Sequence, residues 1–142
     1  GKLTKIVLKN VDTGTTLSKG ASPTMNIKTG AITEGTPTAA TYTRTIKDGY
    51  TLEDTAAGAG AKKFSIMVLP ISTIGNDKIQ ATFTIDGAEY TVKLTAPSDN
   101  SGAWLAGKNH LYTVKLSGTE LSISTITVTQ WVGVVGGTLE IK

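Results

Sequence analysis

His110 is the single histidine of the 142-residue sequence, and few other side chains in it could carry chemistry. A catalytic triad needs an imidazole held between a nucleophile and a carboxylate, and a zinc site needs several His, Cys or carboxylate ligands that converge. His110 has no second His to join it and no Cys, because cysteine is absent. That absence also removes disulfides and thiolate nucleophiles. His110 falls on the apolar face of a predicted strand, where the fitting reading is a partly buried ring in a slot that suits an aromatic. The 11 carboxylates are scattered. Only Glu53 and Asp54 adjoin, and neighbouring strand residues point to opposite faces, so they do not make a glycosidase pair.

Two loops offer backbone or oxygen ligands without the rest of a site. Gly58-Ala59-Gly60-Ala61-Lys62-Lys63 lacks the Gly-Lys-Ser/Thr ending of a phosphate loop and precedes a strand, whereas a phosphate cradle needs a helix N-terminus. Pro97-Ser98-Asp99-Asn100-Ser101-Gly102 lacks the acidic repeat of a calcium loop and reads as a polar turn. Trp104, Trp131, Tyr42, Tyr50, Tyr90 and Tyr112 would form a sugar-binding platform if they stood exposed in a row. Tyr90 and Tyr112 have core-facing parity and Trp131 ends a predicted buried strand, so core packing is expected. No catalytic, cofactor or metal residue is assigned, and no enzyme activity is expected.

The net charge of +3 comes from 14 Lys and Arg set against 11 Asp and Glu, spread one or two at a time. Only Lys62 and Lys63 adjoin, and a nucleic-acid binder would gather its cations on one stripe with aromatics between them. No nucleic-acid partner is expected. No apolar run approaches the roughly 18 residues of a membrane helix. Gly1-Lys2-Leu3-Thr4 has no signal-peptide core, so any export signal is expected upstream of Gly1.

The elements that must position these residues are strands. Thr, Val and Ile dominate wherever the pattern is regular, and the length suits one domain with a real core. Ile79, Ala81, Phe83 and Ile85 alternate with polar residues, Asp86-Gly87 supplies a type I′ turn, and Tyr90, Val92 and Leu94 alternate again. The implied hairpin sets Phe83 opposite Tyr90, Ala81 opposite Val92 and Ile79 opposite Leu94. A second hairpin is read over residues 110–123, with Ser117-Gly118 as its turn, Val114 facing Leu121 and Tyr112 facing Ile123. Beyond Ser124 the apolar parity changes to Ile126 and Val128, which requires a bulge or a bend between sheets.

Shorter strands are predicted at 3–9, 25–28, 32–34 and 42–46, separated by Thr13-Gly14, Thr29-Gly30 and Asp48-Gly49. Residues 64–69 differ, since Phe64, Ile66 and Val68 share one face while Met67 and Leu69 share the other. A strand of that kind is expected to be buried on both faces. Ala56-Ala57-Gly58-Ala59-Gly60-Ala61 is too small-sided for a core and reads as a loop. Eight to ten short strands with no helical periodicity predict an all-β, two-sheet antiparallel sandwich.

The segment Gly102-Ala103-Trp104-Leu105-Ala106-Gly107-Lys108-Asn109-His110-Leu111-Tyr112-Thr113-Val114 resembles the Trp-x-Ala-Gly-Lys-x-Tyr-x-Tyr-x-Val signature of Bacteroides-type fimbrillins. The surrounding order is similar too: an apolar strand ending in Leu69-Pro70, a hairpin with Gly87-x-x-Tyr90, the Trp104 segment, then a strand from Leu121 to Trp131. The likeness covers about residues 62–131, with His110 in place of the signature's first Tyr and Ile71 where Gln is frequent. It marks Trp104, Gly107, Lys108, Tyr112 and Trp131 as signature residues with a structural part.

The resemblance implies a transthyretin-like sandwich that serves as the C-terminal domain of a two-domain lipoprotein precursor, exported to the cell surface as an outer-membrane-associated type V pilus subunit. It implies other pilin subunits as partners through strand addition, host or bacterial surface ligands for the fibre, and no cofactor. In that family an arginine-specific protease removes the first strand. Arg44 lies inside a predicted strand, so no cleavage site is carried onto it. In the tail from Val132 to Lys142, Leu139 and Ile141 share a face, and Thr138, Leu139, Glu140 and Ile141 are candidates for a strand exchanged between subunits. The competing reading of the tail is the last strand of its own sheet. The competing reading of the whole is a secreted carbohydrate-binding sandwich.

Overall fold

The computed structural model describes residues 1–20, 22–33, 35–52, 62–98, 102–118 and 120–130. Among these residues there are ten strands: β1 (Lys2–Asn10), β2 (Ser18–Gly20), β3 (Thr24–Met25), β4 (Ile32–Thr33), β5 (Pro37–Ala39), β6 (Thr41–Thr51), β7 (Ile79–Ile85), β8 (Ala88–Lys93), β9 (Lys108–Ser117) and β10 (Glu120–Gln130). The main sheet is antiparallel, in the order β6-β1-β7-β8, and β9 pairs with β10 in a separate ladder. Side chains from this hairpin meet those of the main sheet in a common core, the sandwich that the alternation predicts.

The β7–β8 hairpin forms as its pattern requires, with Phe83 opposite Tyr90 and Ala81 opposite Val92. Asp86 and Gly87 take φ of 49° and 82°, the paired positive values of a type I′ turn. Beyond the ladder, the Leu94 N–H donates to the Ile79 carbonyl at 2.8 Å, which keeps the third expected pair together. Strand β1 runs through the middle of this sheet, and Thr4 makes a bulge in it. The extra residue switches parity, so Leu3 and Ile6 both face inward and are buried.

The core has two parts. Leu17, Ile71, Ile74, Ile79, Ala81, Leu94 and Trp104 form one, with Tyr112 of β9 and Ile123 of β10 packed on it. Leu3, Ile6 and Ile85 form the other, covered by Phe64, Ile66 and Leu116 among others.

Four expectations are corrected. The 110–123 hairpin turns one residue later, so Leu121 faces Leu116 and Ile123 faces Val114. Gly118 takes φ of 60°, a value Gly adopts freely, whereas a turn at Ser117-Gly118 would ask it of Ser117. The two-residue slip keeps every side chain on its face. Of the bulge or bend expected beyond Ser124, the bulge is present, between Ile123 and Thr125, and it sets Ile126 opposite Tyr112 and Val128 opposite His110. Asp48-Gly49 does not end a strand, because β6 runs through it to Thr51 and the positive φ at both residues belongs to a bulge. Residues 26–28 form a turn closed by the Gly30 N–H to the Asn26 carbonyl at 2.7 Å, leaving only Thr24–Met25 as strand. Residues 64–69 join no ladder with another described strand, and Met67 is 87% exposed. The Gly/Ala loop at 56–61 lies outside the described residues.

Candidate functional site

Two features of the fold hold the residues singled out by sequence: a polar knot around Trp104 and a segment at residues 62–70 that joins no ladder with another described strand.

The knot begins where Trp104 and Ile71 exchange backbone bonds of 2.8 and 2.9 Å in an isolated antiparallel bridge. Trp104 is buried, and burying an indole leaves its N–H in need of an acceptor. The Tyr112 hydroxyl accepts it at 2.9 Å and donates onward to the Thr95 carbonyl at 3.1 Å, with the two rings edge to face at 5.9 Å. Two residues earlier on β9, His110 Nε2 accepts the Leu105 N–H at 3.1 Å, and its ring lies 6.2 Å from that of Trp104. Gly107 takes φ of 68° in the turn between them, and Lys108 opens β9 with its N–H directed to the Leu105 carbonyl at 3.3 Å. The structure thus draws Trp104, Gly107, Lys108 and Tyr112 into one turn-and-strand unit. Trp131, Thr138, Leu139, Glu140 and Ile141 lie outside the described residues.

In the segment at 62–70, Phe64 and Ile66 pack onto the Leu3–Ile6–Ile85 cluster and Val68 onto the Trp104 cluster. Phe64 meets Tyr50 edge to face at 5.7 Å. The chain is therefore pinned to the core by alternate side chains, as a strand would be, while its backbone joins no ladder with another described strand. Sequence reasoning found the apolar alternation and expected a ladder that no other described strand supplies.

A third feature is an arm at residues 18–39, built of the β2–β5 and β3–β4 ladders. Its root is fixed by Asn10, whose side chain accepts the Leu17 N–H at 2.7 Å and donates to the Leu17 carbonyl at 2.9 Å. Near its tip Met25 and Ile27 are 60% and 92% exposed.

Electrostatics at the surface are sparse. Asp12 is exposed, and the Gly14 N–H and the Lys78 ammonium at 3.1 Å hold its carboxyl below the usual range. Arg44 is exposed on β6, opposite Ile6. A surface depression of about 450 Å³ is lined by Thr73, Asn76, Thr95, Ser98 and neighbouring small residues, none of the described lining residues being ionisable. Among the described residues no group of three His, Cys, Asp or Glu could hold a metal ion, and no helix is long and apolar enough to cross a membrane. The described aromatics form no exposed row, since Trp104 is buried and the four tyrosines are half-buried. Glu53, Asp54, Asp99 and Asn100 lie outside the described residues.

A sequence model of the family described as fimbrillin-like matches residues 2–131. No curated protein and no solved structure is matched.

Proposed function

The chain belongs to the fimbrillin-like family, a family of structural pilus subunits and not of enzymes, and from that premise we propose that it is a noncatalytic building block of a bacterial cell-surface fimbria that joins its neighbours by β-strand exchange. The observation that carries this reading is the edge at 62–70. Its alternate side chains already lie on the core, so an incoming strand would meet an acceptor whose conformational entropy has largely been lost before binding. Each ladder hydrogen bond formed there would contribute about 1 kcal/mol net, and the apolar contacts of the added strand would add to that.

In this reading the donor is the tail, with Leu139 and Ile141 on one face and Thr138 and Glu140 on the other. The chain is the second sandwich domain of a lipid-anchored, outer-membrane-associated precursor. Its partners are other pilin subunits, and host or bacterial surface ligands meet the finished fibre. The sugar-platform alternative needs aromatics on the surface, and the described ones face inward.

Deleting residues 138–142 tests the mechanism. Mixed with partner subunits, the truncated chain is expected to lose the ladder of oligomers on denaturant-free gels while keeping its circular dichroism and Tm. Unchanged assembly would remove the tail from the mechanism.

A further inference from the structure

We propose that Met67 is an oxidation site at which a peroxide weakens subunit assembly without unfolding the chain; the part that concerns assembly rests on the strand-exchange reading above. The sequence has two methionines and no cysteine, so Met67 and Met25 hold all of its sulfur. Both side chains stand outside the core, at 87% and 60% exposure. The buried apolar residues among those described are Leu, Ile, Ala and Trp104, none of which carries sulfur. A peroxide dissolved in the surrounding water therefore meets a thioether before it reaches anything the fold depends on.

The step is a two-electron oxygen transfer. A lone pair of the Met67 sulfur attacks one oxygen of hydrogen peroxide, and the S–O bond forms as the O–O bond breaks. The proton on the transferred oxygen ends on the departing hydroxide, which leaves as water. Sulfur is oxidised to the sulfoxide and the peroxide is reduced, and methionine sulfoxide reductases reverse the change.

Position 67 decides what the new oxygen does. Phe64, Ile66 and Val68 are half-buried on the two core clusters, and Met67 projects between them into solvent. In the lone chain the sulfoxide points into water and breaks no core contact. A strand added beside 62–70 would bring cross-strand neighbours against the same side chain. To enter that contact the sulfoxide, a polar group in place of a flexible apolar one, has to give up its water. The free subunit is thus the sensitive form, and assembly covers the sulfur. Met25 lies in the arm, opposite Ile32 on the β3–β4 ladder, and is the less exposed of the two. It is expected to react more slowly and to leave assembly alone.

The test treats the intact chain with dilute hydrogen peroxide and maps the added oxygen by peptide mass. A gain of roughly 16 Da, one oxygen, is expected at Met67 ahead of Met25, with circular dichroism unchanged and Tm held within about 2 °C. Sedimentation with partner subunits is expected to show association weakened about tenfold or more, and treatment with the reductases to restore it. Met25→Leu, whose only sulfur is Met67, should assemble as the natural chain does before peroxide and lose assembly after it. In Met67→Leu, peroxide should not change assembly, whatever its starting level. Oxidation of Met25 ahead of Met67, unfolding on oxidation of Met67, or undiminished assembly of the Met67 sulfoxide each overturns the proposal. If the untreated chain itself fails to assemble, the strand-exchange reading falls and takes the assembly effect with it; if only the oxidised chain behaves otherwise than expected, that reading stands and this one is lost.

Discussion

The Tyr112 hydroxyl sits between the buried Trp104 indole and the exposed Thr95 carbonyl, and this makes it a side-chain atom whose loss is easy to read. Replacing Tyr112 with Phe keeps the ring against Trp104 but removes the acceptor of the indole N–H at 2.9 Å and the donor to Thr95. A buried donor left without a partner costs about 1–3 kcal/mol. Tyr112→Phe is therefore expected to lower the unfolding free energy by about that amount, measured by urea titration with an unchanged slope. Trp104→Phe in the same background removes the orphaned N–H, so the double variant should lose less than the two single variants added together. Strict additivity would show that the indole N–H finds another acceptor. The same pair explains why Trp and the second Tyr of the signature occur together eight residues apart: one buries an N–H and the other satisfies it.

At the scale of elements, the arm at 18–39 depends on one side chain of β1. Asn10 bonds both the N–H and the carbonyl of Leu17, and the Ala40 N–H returns to the same carbonyl at 3.0 Å, so the two ends of the arm are tied at Leu17. A two-stranded ribbon is marginal on its own in water. Asn10→Ala is expected to cost about 1–3 kcal/mol and to raise the rate of limited proteolysis within 18–39 well before the main sheet is cut. Cleavage at the natural rate would show that the ladders alone hold the arm.

Asn10 also marks where sequence reading stops. Period-two alternation and the Asp86-Gly87 turn specify the β7–β8 hairpin to the residue, because that local pattern has one geometric solution, whereas the parity change at Ser124 narrows the choice to a bulge or a bend and the β9–β10 pairing selects the bulge. The arm's root joins residues by a side-chain bond that no periodicity encodes. The Asp48-Gly49 bulge is written in the same residues as a turn, and only the pairing of β6 with β1 distinguishes them. The knot around Trp104 was visible as a motif, but its hydrogen bonds join Trp104 to Ile71 and Tyr112 of β9 to the loop at 95, contacts that only the folded chain brings together.

For the whole molecule, the segment at 62–70 separates what the isolated chain needs from what an assembly needs. Ile66 faces the core and Met67 faces away, 87% exposed. If a strand adds beside this segment, Met67 gains cross-strand neighbours on its outer face. Ile66→Ala removes core contacts and should destabilise the lone chain by about 1–3 kcal/mol, less than a fully buried site because Ile66 is half-buried. Met67→Ser should leave the stability of the lone chain within about 0.5 kcal/mol, as exposed positions do. Its effect belongs to association: burying a methionine side chain is worth about 1.5–3 kcal/mol, so the variant is expected to bind partner subunits about tenfold to a hundredfold more weakly. Sedimentation of subunit mixtures, read beside thermal melts of each chain alone, separates the two effects. A Met67→Ser chain that melts and assembles as the natural one does would leave the outer face of this segment outside the subunit contact and would limit the acceptor to its backbone.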